Sequence, residues 1–281
     1  MKRFAVFFLS AALLIGLVCP AYAYDNPFVS PRGSCDYIGG TTVLVAIFVN
    51  DPYCSWDFSD QADLSSYANI YWRLKTASEW LTRQANRYRA YPNIIWDWYN
   101  QPYLYYVYDS DRYICDQSYT YGDLRDFITD RINLPYIKSY YGADNVIFMA
   151  YYNSTKTMNI RGNYAWSWDF DPNAKGSYAM EICWIVDEEG DLTISAGSLA
   201  HEMMHCFGAP DLYQSSDRIS QAYVDHLKNV RSKDIMYYID YYTPADIGEA
   251  FSELDAYYLG LTNSSYDQRR YNLGKSSHIL Y

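Results

Sequence analysis

The sequence predicts one α/β (α+β) domain built on a mixed sheet with a cleft. Three observations carry that expectation. Thr41 to Val49 and Val146 to Tyr152 are apolar, mostly β-branched or aromatic runs of strand length, as buried central strands require. Long helical stretches separate them. No internal repeat, low-complexity tract or linker divides the chain, and half of its 281 residues are apolar, enough for a full-sized core.

Charge narrows the function classes. The chain carries 22 Lys+Arg against 33 Asp+Glu, a net charge of -11, which excludes a broad cationic face for nucleic acid or anionic lipid. No phosphate-cradling G-x-x-x-x-G-K-[ST] or G-x-G-x-x-G loop is present, and no G-x-S-x-G elbow for a serine nucleophile.

The first 23 residues read as an address. Lys2 and Arg3 precede the apolar run Phe4 to Val18, whose 15 residues are short for a bilayer span, and Ala21-Tyr22-Ala23 supplies the small residues of a signal-peptidase site. Cleavage after Ala23 is expected, with secretion to an extracellular or periplasmic space and no membrane attachment afterwards. An oxidising compartment suits disulfides. Cys35, Cys54, Cys115, Cys183 and Cys206 would remain. Proximity suggests Cys35–Cys54 and Cys115–Cys183, leaving the helical Cys206 over.

In chain order, Tyr24 to Gly40 reads as an extended lead-in and 41–49 as the first buried strand. Leu64 to Ala90 reads as helix. The aromatic, alternating runs Asn93 to Trp98 and Leu104 to Tyr108 read as strands split by the Asn100-Gln101-Pro102 turn. Tyr121 to Tyr140 reads as a helix that Pro135 bends or ends. The strands 146–152 and Tyr178 to Val186 follow, the latter closed by the acidic turn 187–191. Helix signals then run from Thr193 to Phe207.

That last helix carries the chemistry. His201-Glu202-Met203-Met204-His205 is an H-E-x-x-H motif. Four helical residues turn through about 400° and rise about 6 Å, so the two imidazoles share a face and reach one tetrahedral zinc ion. Glu202 sits beside that face, placed to take a proton from water without ligating the metal. With only four histidines in the chain, a chance match is expected on the order of once per thousand such chains, so the motif is informative. Gly208 can reverse the chain and Pro210 forbids helical continuation, which brings Asp211 back as the third ligand. Asp225-His226 offers a lower-ranked rival. Zn2+ is the expected cofactor. Ca2+ is a weaker expectation at Asp169-Phe170-Asp171-Pro172-Asn173, where Ala174 occupies the position an EF-hand gives to glycine.

H-E-x-x-H-x-x-G-x-x-D resembles the metzincin type of zinc peptidase in its aspartate variant, and HEMMHCFGAPDLY (201–213) is similar to secreted immune-inhibitor-A-type metalloproteases. The strong match covers about fifty residues. The resemblance implies a metzincin-like catalytic domain over 24–281. A twisted mixed sheet and active-site helix (24–208) would face a smaller C-terminal subdomain (209–281) across the cleft. It also implies a methionine turn beneath the metal at Asp234-Ile235-Met236-Tyr237-Tyr238, with Tyr238 as a transition-state donor. Catalytic roles fall to Glu202 and Tyr238, metal ligation to His201, His205 and Asp211, and the implied partner is an extended peptide or protein. The chain departs from the commoner pattern at 211, where histidine is more usual. Pro31 to Asp36 faintly resembles a cysteine switch with its cysteine two places late. A second function class is a secreted binding module, its 34 tyrosines (Tyr103 to Tyr108 and Tyr237 to Tyr242 among them) forming a glycan or protein platform beside a non-catalytic metal site. Half-buried strands account for the same runs.

Overall fold

The computed structural model describes residues 29–30, 35, 37–52, 55–112, 120–154, 164–168, 180–188, 195–239, 246–276 and 278. The signal segment, the 169–173 loop, Tyr241, Tyr242, Cys54 and Cys115 lie outside them, as do the expected disulfide pairings and calcium loop. No helix among the described residues is long and apolar enough to cross a membrane.

A seven-stranded mixed sheet organises the chain. The strands are β1 (Val29–Ser30), β2 (Thr41–Asn50), β3 (Asn93–Ile95), β4 (Tyr105–Asp109), β5 (Asn145–Ser154), β6 (Tyr164–Trp168) and β7 (Met180–Glu188). Their order is β1-β6-β7-β5-β2-β3, with β4 also on β2. β2 is central: Thr42 to Val49 are all buried, so both faces are covered, as a continuous apolar strand demands. It pairs in parallel with β5 through Thr42↔Asn145 to Val49↔Tyr152, and β5 pairs in parallel with β7. The antiparallel members lie at one end, β6 on β7 and β1 on β6.

Two expectations change here. The runs at 93–98 and 104–108 hold strands over Asn93–Ile95 and Tyr105–Asp109, so Trp96 to Trp98 fall outside the first. β3 pairs in parallel with Thr41–Val43 and β4 with Ala46–Asn50, so they occupy successive stretches of the same β2 edge. The 121–140 helix is two helices, α2 (Thr120–Arg131) and α3 (Leu134–Tyr141). Pro135 starts the second rather than ending the first. Asn133 caps α3 by accepting from the Tyr136 N–H, and proline near a helix start sacrifices an amide that has no helical partner anyway.

The first helix, α1 (Gln61–Asn86), begins at Asp60, whose carboxylate accepts from Ala62 and Asp63 N–H. It packs against β3 and against α4 (Ala196–Cys206), which also lies on β6 and β7. Three short helices follow: α5 (Gln221–Val230), α6 (Glu253–Tyr258) and α7 (Tyr266–Arg270). Among the described residues after Gly208 there is no strand, only an isolated bridge between Asp234 and Ala250.

Much of the tyrosine surplus is structural. Phe48 on β2 sits 5.1 Å from the Trp56 ring, 4.9 Å from Tyr67 and 5.2 Å from Tyr151. Tyr151, Tyr152, Tyr223 and Tyr258 are fully buried. Buried phenols need partners; the Tyr71 hydroxyl donates to Asp97 at 2.8 Å and that of Tyr258 to the Gly274 carbonyl at 3.1 Å. In the 103–108 run, Tyr106 and Tyr108 pack against the core while Tyr103 and Tyr105 remain exposed.

Candidate metal centre

α4 starts at Ser195, whose hydroxyl accepts from the Ser198 N–H, and is buried along nearly its whole length. A helix this apolar and this enclosed presents its few polar side chains to one another instead of to solvent. It ends in a Schellman motif. The Ala209 N–H donates to the Met204 carbonyl at 3.1 Å and the Gly208 N–H to His205 at 2.8 Å. Gly208 takes φ +94°, a conformation that penalises any Cβ. The Arg218 guanidinium, stacked 4.6 Å from the Tyr258 ring, donates to the Gly208 carbonyl and holds the reversal from outside.

That reversal delivers Asp211. His201, His205 and Asp211 bring one ligating atom each to a common point. The two Nε2 atoms are 3.0 Å apart, and each is 3.2 Å from Asp211 Oδ1. Ligands about 2.0–2.1 Å from a tetrahedral zinc stand roughly 3.3 Å apart, so the spacing fits a shared ion.

The tautomers make the stronger case. His201 Nδ1 lies 2.9 Å from the Ile235 carbonyl and His205 Nδ1 lies 2.7 Å from the Ala209 carbonyl. A carbonyl oxygen only accepts, so both Nδ1 atoms carry the hydrogen and each neutral ring turns a bare Nε2 lone pair inward. Two lone pairs then face each other and a carboxylate oxygen, three acceptors with no proton between them. Burial raises the Asp211 carboxyl, and only imidazoles protonated on Nε2 as well as Nδ1 would offset that and pull it below the usual carboxylate range. Satisfying Asp211 with protons alone would require doubly protonated rings in near contact. One divalent cation satisfies all three groups without that repulsion, so the donor set fits zinc.

The segment 234–238 lies under the site. Ile235 supplies the acceptor for His201, and Met236, fully buried, accepts the Leu212 N–H at 2.9 Å. One turn therefore touches both ligand-bearing segments. Glu202 is buried on α4 beside His201. Tyr238 is partly exposed, with the Lys233 ammonium 3.7 Å from its ring centre, and no hydrogen bond among the described residues joins its hydroxyl to the triad.

Other expected participants lie elsewhere. Asp225 accepts from Gln221 on α5, and His226 stacks on Tyr271 at 5.4 Å, so neither joins the metal-ligating group. Cys35 is buried with its N–H donating to the Cys206 carbonyl at 3.2 Å, and it too stands outside the group. The Cys206 Sγ reaches the Glu202 carbonyl within α4. His278 is half-buried, and its Nε2 bonds the Phe207 carbonyl at 2.7 Å, just past α4. The carbonyls of Ile235 and Ala209 were beyond sequence reasoning because any residue supplies one. Arg218 had a faint signal, a lone arginine ten residues past a helix-ending glycine. Neither family models nor curated proteins match the chain.

Proposed function

We propose that the chain is a secreted zinc-dependent endopeptidase of metzincin type that hydrolyses peptide bonds in extracellular proteins. The observation that carries this reading is the convergence of two bare Nε2 lone pairs and the Asp211 carboxylate on one point, beside a buried glutamate. His201, His205 and Asp211 hold the metal. Zinc, when bound there, supplies the Lewis acid and an acidified water.

The chain's own groups do the rest. Glu202 takes the proton of the attacking water onto its carboxylate and delivers it to the leaving amine nitrogen. The Tyr238 hydroxyl donates to the developing oxyanion after its side chain swings from the Lys233 contact. An extended substrate adds as a strand to β6, which packs on α4 and which β1, among the described residues, pairs only at Ser167 and Trp168. The smaller subdomain after Gly208 forms the opposite wall of the cleft.

The test is proteolysis of casein or gelatin by the purified chain, with and without chelator, beside Glu202→Ala. Activity that chelator abolishes and zinc restores, and that E202A lacks despite bound zinc, supports the peptidase. Bound zinc with no turnover on any peptide library would instead favour the binding-module reading. E202A cleaving as fast as wild type would remove the proposed general base.

A further inference from the structure

Cys35 and Cys206 are far apart in the sequence and meet at the end of α4. Cys35 lies in the segment that leads into β2, and Cys206 is the last residue of α4, directly after His205. The Cys35 N–H donates to the Cys206 carbonyl at 3.2 Å. Standard bond lengths on either side of such a hydrogen bond place the two Cα atoms about 4.5–6.5 Å apart, inside the span of about 4.4–6.8 Å that a disulfide bridges. Both residues are buried, Cys206 fully, and both belong to the same apolar core. The Cys206 Sγ reaches the Glu202 carbonyl at 3.5 Å, a weak bond that rotation of χ1 to another staggered well releases. The structure holds both residues in the reduced state.

We infer that Cys35 and Cys206 form a disulfide when the chain folds in an oxidising compartment, stapling the lead-in of β2 to the end of the helix that carries His201 and His205. This pairing replaces the Cys35–Cys54 expectation, which rested on nearness in sequence, and leaves Cys54, Cys115 and Cys183 over. It does not depend on the metal reading. The oxidant is a low-molecular-weight disulfide of the glutathione type, met before the core closes over the pair. One cysteine thiolate attacks that disulfide, forms a mixed disulfide and expels one small thiolate. The second cysteine thiolate attacks the mixed disulfide and expels the other. Two protein S–H bonds are lost, one S–S bond is gained, and the two protons end on the expelled thiolates. The link closes a loop of more than half the chain, and a long loop is where a cross-link removes most entropy from the unfolded state. It also anchors the base of the Gly208 reversal, which lies two residues past Cys206.

The test uses the purified chain, refolded from its reduced state with glutathione disulfide. It is then unfolded without reductant, blocked with N-ethylmaleimide and digested. Mass spectrometry should find the Cys35 peptide linked to the Cys206 peptide, two hydrogen masses lighter than the separate pair, and should lose that species after reductant. Thermal unfolding gives a second reading. Wild type should melt higher oxidised than reduced, and that gap should shrink by about 5–10 °C in Cys35→Ala and in Cys206→Ala alike, the usual contribution of a disulfide in a chain of this size. Comparing each variant with itself cancels the cavity that the lost sulfur leaves. Should a variant fail to fold, the wild-type peptide map decides alone. Both cysteines carrying N-ethylmaleimide, or either one linked to Cys54, Cys115 or Cys183, would overturn the inference, as would an undiminished gap in both variants. A chain that binds no zinc would sink the peptidase reading and leave the staple standing.

Discussion

Two buried regions of this molecule are built on opposite principles. Around Phe48, the loop rings of Trp56 and Trp98 meet it edge to face and Tyr67 of α1 and Tyr151 of β5 meet it tilted, and the region gains its stability from area and shape. Around His201, the side chains are also buried, but each polar atom has a direction. Nδ1 meets Ile235, Nε2 meets its counterparts, and the turn meets Asp234. The first region should tolerate an exchange of one ring for another with modest loss. The second should tolerate almost no change in hydrogen-bond polarity, while its contribution to global stability stays small without the metal. Stability and chemistry therefore reside in separate residues.

The largest effect expected is on turnover. Glu202→Ala should lower peptidase kcat about 10²- to 10⁴-fold, the usual range for a general base, with zinc stoichiometry unchanged; metal analysis beside a proteolysis assay checks both. Next is Phe48→Ala, which should cost about 3–5 kcal/mol in denaturant unfolding yet leave zinc binding intact below its lowered Tm. If F48A also released the metal, the two regions would not be separable. Gly208→Ala forces a side chain into a left-handed turn and should cost about 1–3 kcal/mol. Because the turn delivers Asp211, it should weaken zinc binding too, which sharpens the contrast.

The smallest effect is a pH dependence. Burial pushes Asp234 up to about 6, above its ordinary 3.8, with hydrogen bonds from Ser252 and Met236 opposing the rise. The folded chain therefore holds a proton there that the unfolded chain releases. The stabilisation is complete below about pH 4 and is lost as pH rises through about 6. Depression of Asp211 beside protonated imidazoles works the other way, stabilising above its ordinary value and lost as pH falls. The Tm of metal-free wild type minus that of an Asp234→Asn variant cancels the Asp211 contribution. That difference should shrink by a few degrees between pH 4 and 7. A difference that grows would reverse the assigned sign.

What the sequence revealed divides along the same line. His201, His205 and Asp211 were legible because helical spacing and a glycine reversal are local geometry, encoded in residues at fixed offsets. β2, β5 and β7 were legible as apolar runs. The pairing of their neighbours was not: the 93–98 and 104–108 runs read as strands, but that β3 and β4 both lie parallel to β2 is a long-range choice that local pattern does not carry. Pro135 reads as bending or ending a helix because its ring breaks a helix interior, while the Asn133 cap two residues earlier marks a beginning. β6 escaped because Tyr-Ala-Trp-Ser-Trp is short and lies in a stretch poor in aliphatic residues. The partners that set the histidine tautomers are backbone carbonyls, invisible in any residue code.

Two histidine Nε2 atoms and one carboxylate oxygen converge on a point that one cation would fill. Anomalous scattering across the zinc edge, from crystals of the zinc-loaded chain, tests it most directly. A single strong peak is expected within bonding distance of His201 Nε2, His205 Nε2 and Asp211 Oδ1, with both Nδ1 atoms still on their carbonyls. Absence of a peak there at saturating zinc, or a peak ligated elsewhere with Asp211 turned away, would contradict it.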